Sequence, residues 1–291
     1  MSETIHTVVF QAKDGGGNPC PVTLDADGLS VEEMQTMTRG WGEESAFLMR
    51  SDRPDCTFRA RYFVPLHEME MCIHATIGSA TVLVETGRVR TSPIWYETSF
   101  GPVQVDWERK EDGTVDVGVH QFLPKFMECN PTREEVCRAL NIREEDLGDA
   151  PIQSAATSRW KLMVPLRSRA VLDGLEPDFE LLWDLCDRYE TSGFYPYVME
   201  QGSEGPVFWA RQFPKRAGYN EDPATGVAAS ALGAYLVNNG VVPVAEGWNS
   251  WKIYQGFAMG KPSVILSDCF VQGGEITATR VRGTAVLDGN G

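Results

Sequence analysis

Hydrophobic and polar positions alternate first over Thr7 to Gln11, a β-branched and aromatic run that predicts a strand. A glycine-rich loop is expected over residues 14–19, Asp14 to Pro19, and a second strand over Pro21 to Leu24, turned by Asp25-Ala26-Asp27-Gly28. Ser30 followed by Glu33 fits a capping box and predicts a helix running to near Gly40. Phe47 to Met49 and Phe58 to Val64 read as strands, the latter alternating Phe58, Ala60, Tyr62 and Val64 with Arg59, Arg61 and Phe63. Further on, Arg159 to Leu166 and Val207 to Phe213 predict strands, and Asp178 to Tyr189 an amphipathic helix. A turn over Gln255 to Ser263 leads into an apolar strand at Val264 to Leu266. Many short strands with a few irregularly placed helices predict an α+β fold.

Two segments depart from this amphipathic pattern. His74 to Gly87 and Ala224 to Gly240 each begin with small residues, continue almost uncharged, and stop at a glycine. A helix that is apolar or small all round is buried. Two such helices, about 150 residues apart, predict two halves, each wrapping strands around a central helix. The halves are expected at residues 1–122 and 123–291, with the final strand near 278–291 returning to the first.

Composition narrows the classes. Acidic residues outnumber basic ones, 41 to 26, and a net charge of -15 argues against binding a phosphate backbone. No apolar run reaches the roughly 18 residues of a membrane span. The start, Met-Ser-Glu-Thr-Ile-His, has no basic region or apolar signal core, so a cytoplasmic protein is expected. Seven cysteines, none in CxxC spacing, and four scattered histidines predict free thiols and no metal site.

Three polar stretches sit beside small residues: Gly42-Glu43-Glu44-Ser45-Ala46-Phe47, Glu70-Met71-Cys72-Ile73-His74-Ala75-Thr76 and Asn220-Glu221-Asp222-Pro223-Ala224-Thr225-Gly226. The last two open the buried helices, whose N-termini carry unpaired N–H groups suited to a carboxylate or a developing oxyanion. From the pattern alone, Asp222 reads equally as a plain N-cap, His74 as a capping or satisfied histidine, and Glu43 and Glu44 as solvated loop residues. Asp14-Gly15-Gly16-Gly17-Asn18 matches neither a Walker loop nor GxGxxG, and no GxSxG elbow occurs.

Taken together, these residues resemble the phenazine-biosynthesis PhzF-like family, relatives of diaminopimelate epimerase and proline racemase. The resemblance runs through Gly17-Asn18-Pro19-Cys20-Pro21-Val22, Glu44-Ser45-Ala46-Phe47, Cys72-Ile73-His74-Ala75-Thr76-Ile77-Gly78, Glu221-Asp222-Pro223-Ala224-Thr225-Gly226, Gln255-Gly256 and Gly260-Lys261-Pro262-Ser263. It implies two pseudo-symmetric α+β domains, each a curved antiparallel sheet around a central helix, with the site between them. It also implies a homodimer without a cofactor, acting on a small carboxylate-bearing metabolite. Glu44 would be the acid/base, with His74 and Asp222 in the same pocket; Ser45, Cys72, Ile73, Ala75, Thr225 and Gly226 would contact the substrate.

Three positions depart from the family pattern. Ile73 stands where the family has glycine, which narrows the approach to the helix N-terminus. Cys72 occupies the place of the first catalytic cysteine of the thiol racemases, but the Pro223 region holds no second one. Lys261 replaces an arginine, losing a bidentate grip. The expected chemistry is proton abstraction from carbon and return at another position, which asks for a closed, dry cleft around the base. The family's best-known reaction is isomerisation of trans-2,3-dihydro-3-hydroxyanthranilate. Two alternatives stay open: a racemase or epimerase using Cys72, and a non-catalytic protein that binds small acids.

Overall fold

The computed structural model describes residues 2–13 and 15–288; Asp14 of the expected glycine-rich loop and residues 289–291 of the expected last strand lie outside them. Within these residues the fold is mixed α+β and dominated by sheet, with seventeen strands and six α-helices. The chain divides into two compact units, Met1–His120 with Val281–Gly291, and Gln121–Arg280. No helix among the described residues is long and apolar enough to cross a membrane.

In the first unit β1 (Glu3–Val9) and β2 (Asn18–Leu24) pair antiparallel along their whole length. The expected loop therefore ends at Gly17. Asn18 and Pro19 lie opposite Val9 and Val8, because extended backbone suits the fixed φ of proline and pairing with β1 outweighs the local turn signal. Helix α1 (Val31–Trp41) starts at the capping box: Glu33 N–H donates to Ser30 Oγ at 3.2 Å, and Ser30 N–H donates to Glu33 Oε2 at 2.8 Å. It packs Met34 on Phe47 and Phe63, from β3 (Ser45–Arg50) and β4 (Phe58–Phe63). Then come β5 (Glu68–Met69), α2 (Ile73–Glu85), β6 (Ile94–Thr98), β7 (Gly101–Arg109) and β8 (Val115–Gln121).

The second unit runs through β9 (Lys125–Phe126), α3 (Arg133–Leu140), β10 (Gln153–Ala156), β11 (Lys161–Pro165), α4 (Arg169–Asp173), α5 (Phe179–Arg188), β12 (Gly193–Gly202), β13 (Gly205–Ala210) and β14 (Phe213–Pro214). It continues with α6 (Gly226–Asn238), β15 (Gly247–Gln255) and β16 (Ser263–Gln272). The last strand, β17 (Glu275–Leu287), passes from the second unit to the first, where Val286 pairs with Val8 of β1. The single strand expected over Val207 to Phe213 breaks at Gln212, which forms an isolated bridge with Asp222. That break anchors the loop ahead of α6.

Each unit contains one 13-residue helix with almost no exposed surface, α2 in the first and α6 in the second. Small residues make this possible by letting the helices approach strands closely. A Cβ on Gly78 would lie 2.7 Å from the Thr7 hydroxyl of β1, and one on Gly233 would collide with Ser267 of β16. In the second unit α3 and α5 pack Val136, Leu140, Leu182 and Leu185 against Leu162, Val164 and Phe194 of the neighbouring strands.

Candidate active site

Glu44 lies between α1, which ends at Gly42, and the first residue of β3. Its neighbour Ser45 is fully buried, and its hydroxyl is hydrogen-bonded to Thr38 of α1 at 2.5 Å. That contact ties the Ser45 hydroxyl to α1. The Glu44 carboxylate goes instead to the start of α2. There Cys72 Sγ donates to Glu44 Oε2 at 3.2 Å and lies 3.2 Å from His74 Nδ1, while His74 Nδ1 is 3.6 Å from Glu44 Oε2. Glu44 keeps 11% side-chain exposure and His74 only 3%, so neither is a solvated loop residue.

The start of α2 is held from beneath. Tyr62 of β4 shares a 2.7 Å hydrogen bond with Thr76 Oγ1, which in turn donates to the Cys72 carbonyl at 2.8 Å. Thr76 belongs to the polar stretch marked in the sequence, whereas Tyr62 read there only as one position of an alternating strand. Burial, reinforced by the Glu44 charge, pushes the Cys72 thiol well above the ordinary range; the Ala75 amide pulls it down by less. Ile73 opens the helix and is buried, as is Ala75. All seven cysteines are free. Spacing along the chain suggested no metal-ligating set, yet folding gathers a carboxylate, a thiol and an imidazole whose donor atoms lie within 4.8 Å of one another.

In the second unit Asp222 is buried, but it does not cap α6; that place belongs to Thr225, three residues later. The Thr225 hydroxyl donates to Asp222 Oδ2. Gln255, at the end of β15, organises the rest: its Nε2 donates to the Asp222 carbonyl at 2.7 Å and to Thr225 Oγ1 at 3.0 Å. Its Oε1 accepts from the Thr225 N–H at 3.2 Å and the Tyr195 hydroxyl at 3.0 Å. Burial, then the Asp222 charge, pushes the Tyr195 hydroxyl far up, so it remains a donor. Glu221 forms a two-pronged pair with Arg211, whose guanidinium also donates to carbonyls of Leu172 and Leu175.

Gly256 completes this clamp at φ 77°, where a Cβ would collide with the Lys261 carbonyl and lie 2.7 Å from that of Pro223. Helices α1, α3, α4 and α5 begin with Ser30, Thr132, Ser168 and Asp178 accepting a main-chain N–H. Neither buried helix has such a side-chain oxygen at its start. At the start of α2 the capping position is Cys72, which brings no oxygen to the first amides, and the Ala75 amide is directed at its sulfur.

A family model described as phenazine biosynthesis-like protein, PhzC-PhzF, matches residues 8–291. The chain belongs to this family. Among its relatives, an uncharacterized isomerase, YddE, of Escherichia coli K12 is 31% identical over 290 residues, covering 98% of this chain and 96% of the relative. The trans-2,3-dihydro-3-hydroxyanthranilate isomerase of Pseudomonas aeruginosa is 30% identical over 284 residues, covering 97% and 95%. The crystal structure of a Bacillus anthracis PhzF-family phenazine biosynthesis protein superposes with a TM-score of 0.88 at 27% identity, covering 99% of this chain and 97% of that one. A probable proline racemase from Agrobacterium radiobacter shares the fold at a TM-score of 0.67 and 13% identity. With curated relatives named as isomerases across their full length, this PhzC-PhzF chain is an enzyme of the isomerase class.

Proposed function

We propose that this enzyme moves a proton on a small carboxylate-bearing metabolite without a cofactor, using Glu44 as the acid/base. The observation that carries the reading is the Glu44 carboxylate held at the start of α2, in contact with Cys72 and His74. A carboxylate is a group that can act as general base toward a carbon-bound proton, and the Cys72 thiol donates to this one and holds it in place. As the proton leaves, negative charge develops on the substrate, and the first amides of α2 offer donors for it in a largely buried setting. The same carboxylic acid then returns the proton at another carbon. His74, fixed within the first turn of α2, would orient the substrate or share its proton. The resemblance assigns Asp222 to the same reaction, and Tyr195, Gln255 and Thr225 hold it in place. Ile73, where the family has glycine, would fill space at the mouth of α2 and select a substrate different in shape from the dihydro-hydroxyanthranilate.

Racemisation through Cys72 is the second reading, favoured by the position of its sulfur between Glu44 and His74. It needs a thiolate, and burial together with Glu44 opposes one. Both readings are tested by incubating the protein in heavy water with cyclic and linear amino and hydroxy acids, the dihydro-hydroxyanthranilate included. Mass spectrometry follows the label, with Glu44→Gln as control. Label entering with bond migration, only when Glu44 is intact, supports the isomerase. Label at the α-carbon alone supports the racemase, and equal labelling by Glu44→Gln would sink the glutamate mechanism.

A further inference from the structure

The three side chains at the start of α2 have a second chemistry available to them. A tetrahedral zinc ion with bonds of about 2.3 Å to sulfur and 2.0–2.1 Å to nitrogen or oxygen sets its sulfur ligand about 3.5 Å from the others and the lighter pair about 3.3 Å apart. Here the Cys72 sulfur is 3.2 Å from both Glu44 Oε2 and His74 Nδ1, and those two atoms are 3.6 Å apart. Each separation is thus within about 0.4 Å of the zinc geometry, so small side-chain rotations suffice to close a site.

Charge points the same way. A thiolate, a carboxylate and a neutral imidazole carry two negative charges, which a divalent cation cancels. A buried cluster of zero net charge avoids the desolvation cost that opposes a lone thiolate here. The same neutrality removes the objection that a helix N-terminus repels cations, since its positive end acts only weakly on a neutral cluster. Glu44, the most exposed of the three, provides the side from which an ion enters and where a fourth, exchangeable ligand sits.

We propose that Glu44, Cys72 and His74 form a binding site for a thiophilic divalent cation, zinc foremost. Binding releases the thiol proton to solvent as the metal–sulfur bond forms, with no change of oxidation state. An occupied site ties up the Glu44 carboxylate, so zinc acts as a reversible inhibitor of any reaction that uses this base. The binding claim stands apart from the isomerase reading, because it is read without turnover.

The test is an anaerobic titration of the whole protein with cobalt(II), followed by sulfur-to-cobalt charge-transfer absorption in the near ultraviolet and then by displacement with zinc. Wild type should take up one equivalent with that absorption. The exposed thiol is controlled by Cys129→Ser, which should behave as wild type. Cys72→Ser should abolish the band, and Glu44→Gln should weaken binding by at least the roughly 10–100-fold that loss of an outer-shell partner costs. Absence of the band in wild type, its survival in Cys72→Ser, or its loss in Cys129→Ser would overturn the site. Should Cys72→Ser fail to fold, X-ray absorption of zinc-loaded wild type decides. One sulfur at about 2.3 Å with nitrogen or oxygen neighbours supports the site, and any other sulfur count overturns it.

Discussion

The Cys72 sulfur lies 3.2 Å from Glu44 Oε2 and donates its proton to that oxygen, a contact made across 28 residues of chain. Because burial and the Glu44 charge both push the thiol upward, it remains S–H and acts on the carboxylate as a fixed donor. Glu44→Gln should therefore lower turnover by about 10²–10⁴-fold, the usual contribution of an acid/base group. Cys72→Ala should cost less, about tenfold or under, since it removes an orienting donor and leaves the base. Steady-state rates on the substrate identified by deuterium exchange check both; equal losses would mean that the thiol does more than orient.

Gly256 is the point where the β15–β16 turn meets the loop carrying Asp222. Gly256→Ala forces a left-handed backbone on a residue with a side chain and drives its Cβ into two carbonyls. The expected cost is about 2–4 kcal/mol in urea unfolding. If the fold survives, binding should weaken through displacement of Asp222. A stability within about 0.5 kcal/mol of wild type would show that the turn relaxes freely.

Arg211 and Glu221 pair with side-chain exposures of 11% and 13%. Removing one partner leaves the other charge stranded, so Arg211→Met should destabilise by about 3 kcal/mol. The double variant Arg211→Met with Glu221→Gln should recover part of that loss, because it strands no charge. A denaturation cycle over the four proteins reads the coupling, and strictly additive losses would show that the pair is not coupled.

Burial pushes the Cys20 and Cys72 thiols well up and those of Cys186 and Cys269 to about 12. An unfolded thiol ionises near about 8.5. Above that pH the unfolded chain releases protons that the folded chain keeps, so the folded state binds more and stability falls as pH rises. The loss begins near the unfolded value and continues toward the raised folded one, at about 1.4 kcal/mol per thiol for each pH unit. Urea midpoints between about pH 7.5 and 10 should drop accordingly. Cys269→Ala should drop less steeply than wild type; parallel slopes would contradict a neutral buried thiol at that position.

The parts of the fold legible along the chain were those specified by local chemistry. Ser30 and Glu33 bond each other across one turn, so the start of α1 is written in four consecutive residues. The same signal stood at Thr132 and Glu135 for α3, which the hydrophobic pattern alone did not bring forward. Strands β6 to β8 and β12 were missed for a different reason. They pair with their neighbours in the chain, β6 with β7, β7 with β8 and β12 with β13, but mixed polar and apolar faces blur their alternation, and β propensity alone is a weak signal.

What the sequence by itself determined was the uncharged, small-residue character of α2 and α6, and hence that each must be buried, since nothing on their surfaces suits water. It also marked the three polar stretches from which the site is drawn. Only the tertiary structure decided which atoms meet. It turned the Ser45 hydroxyl toward Thr38, placed the Cys72 sulfur between Glu44 and His74, and set Gln255 beneath Asp222. These contacts join residues up to 33 positions apart, and their geometry follows from strand register and helix depth. Both are products of packing among distant segments, which no local window of sequence contains.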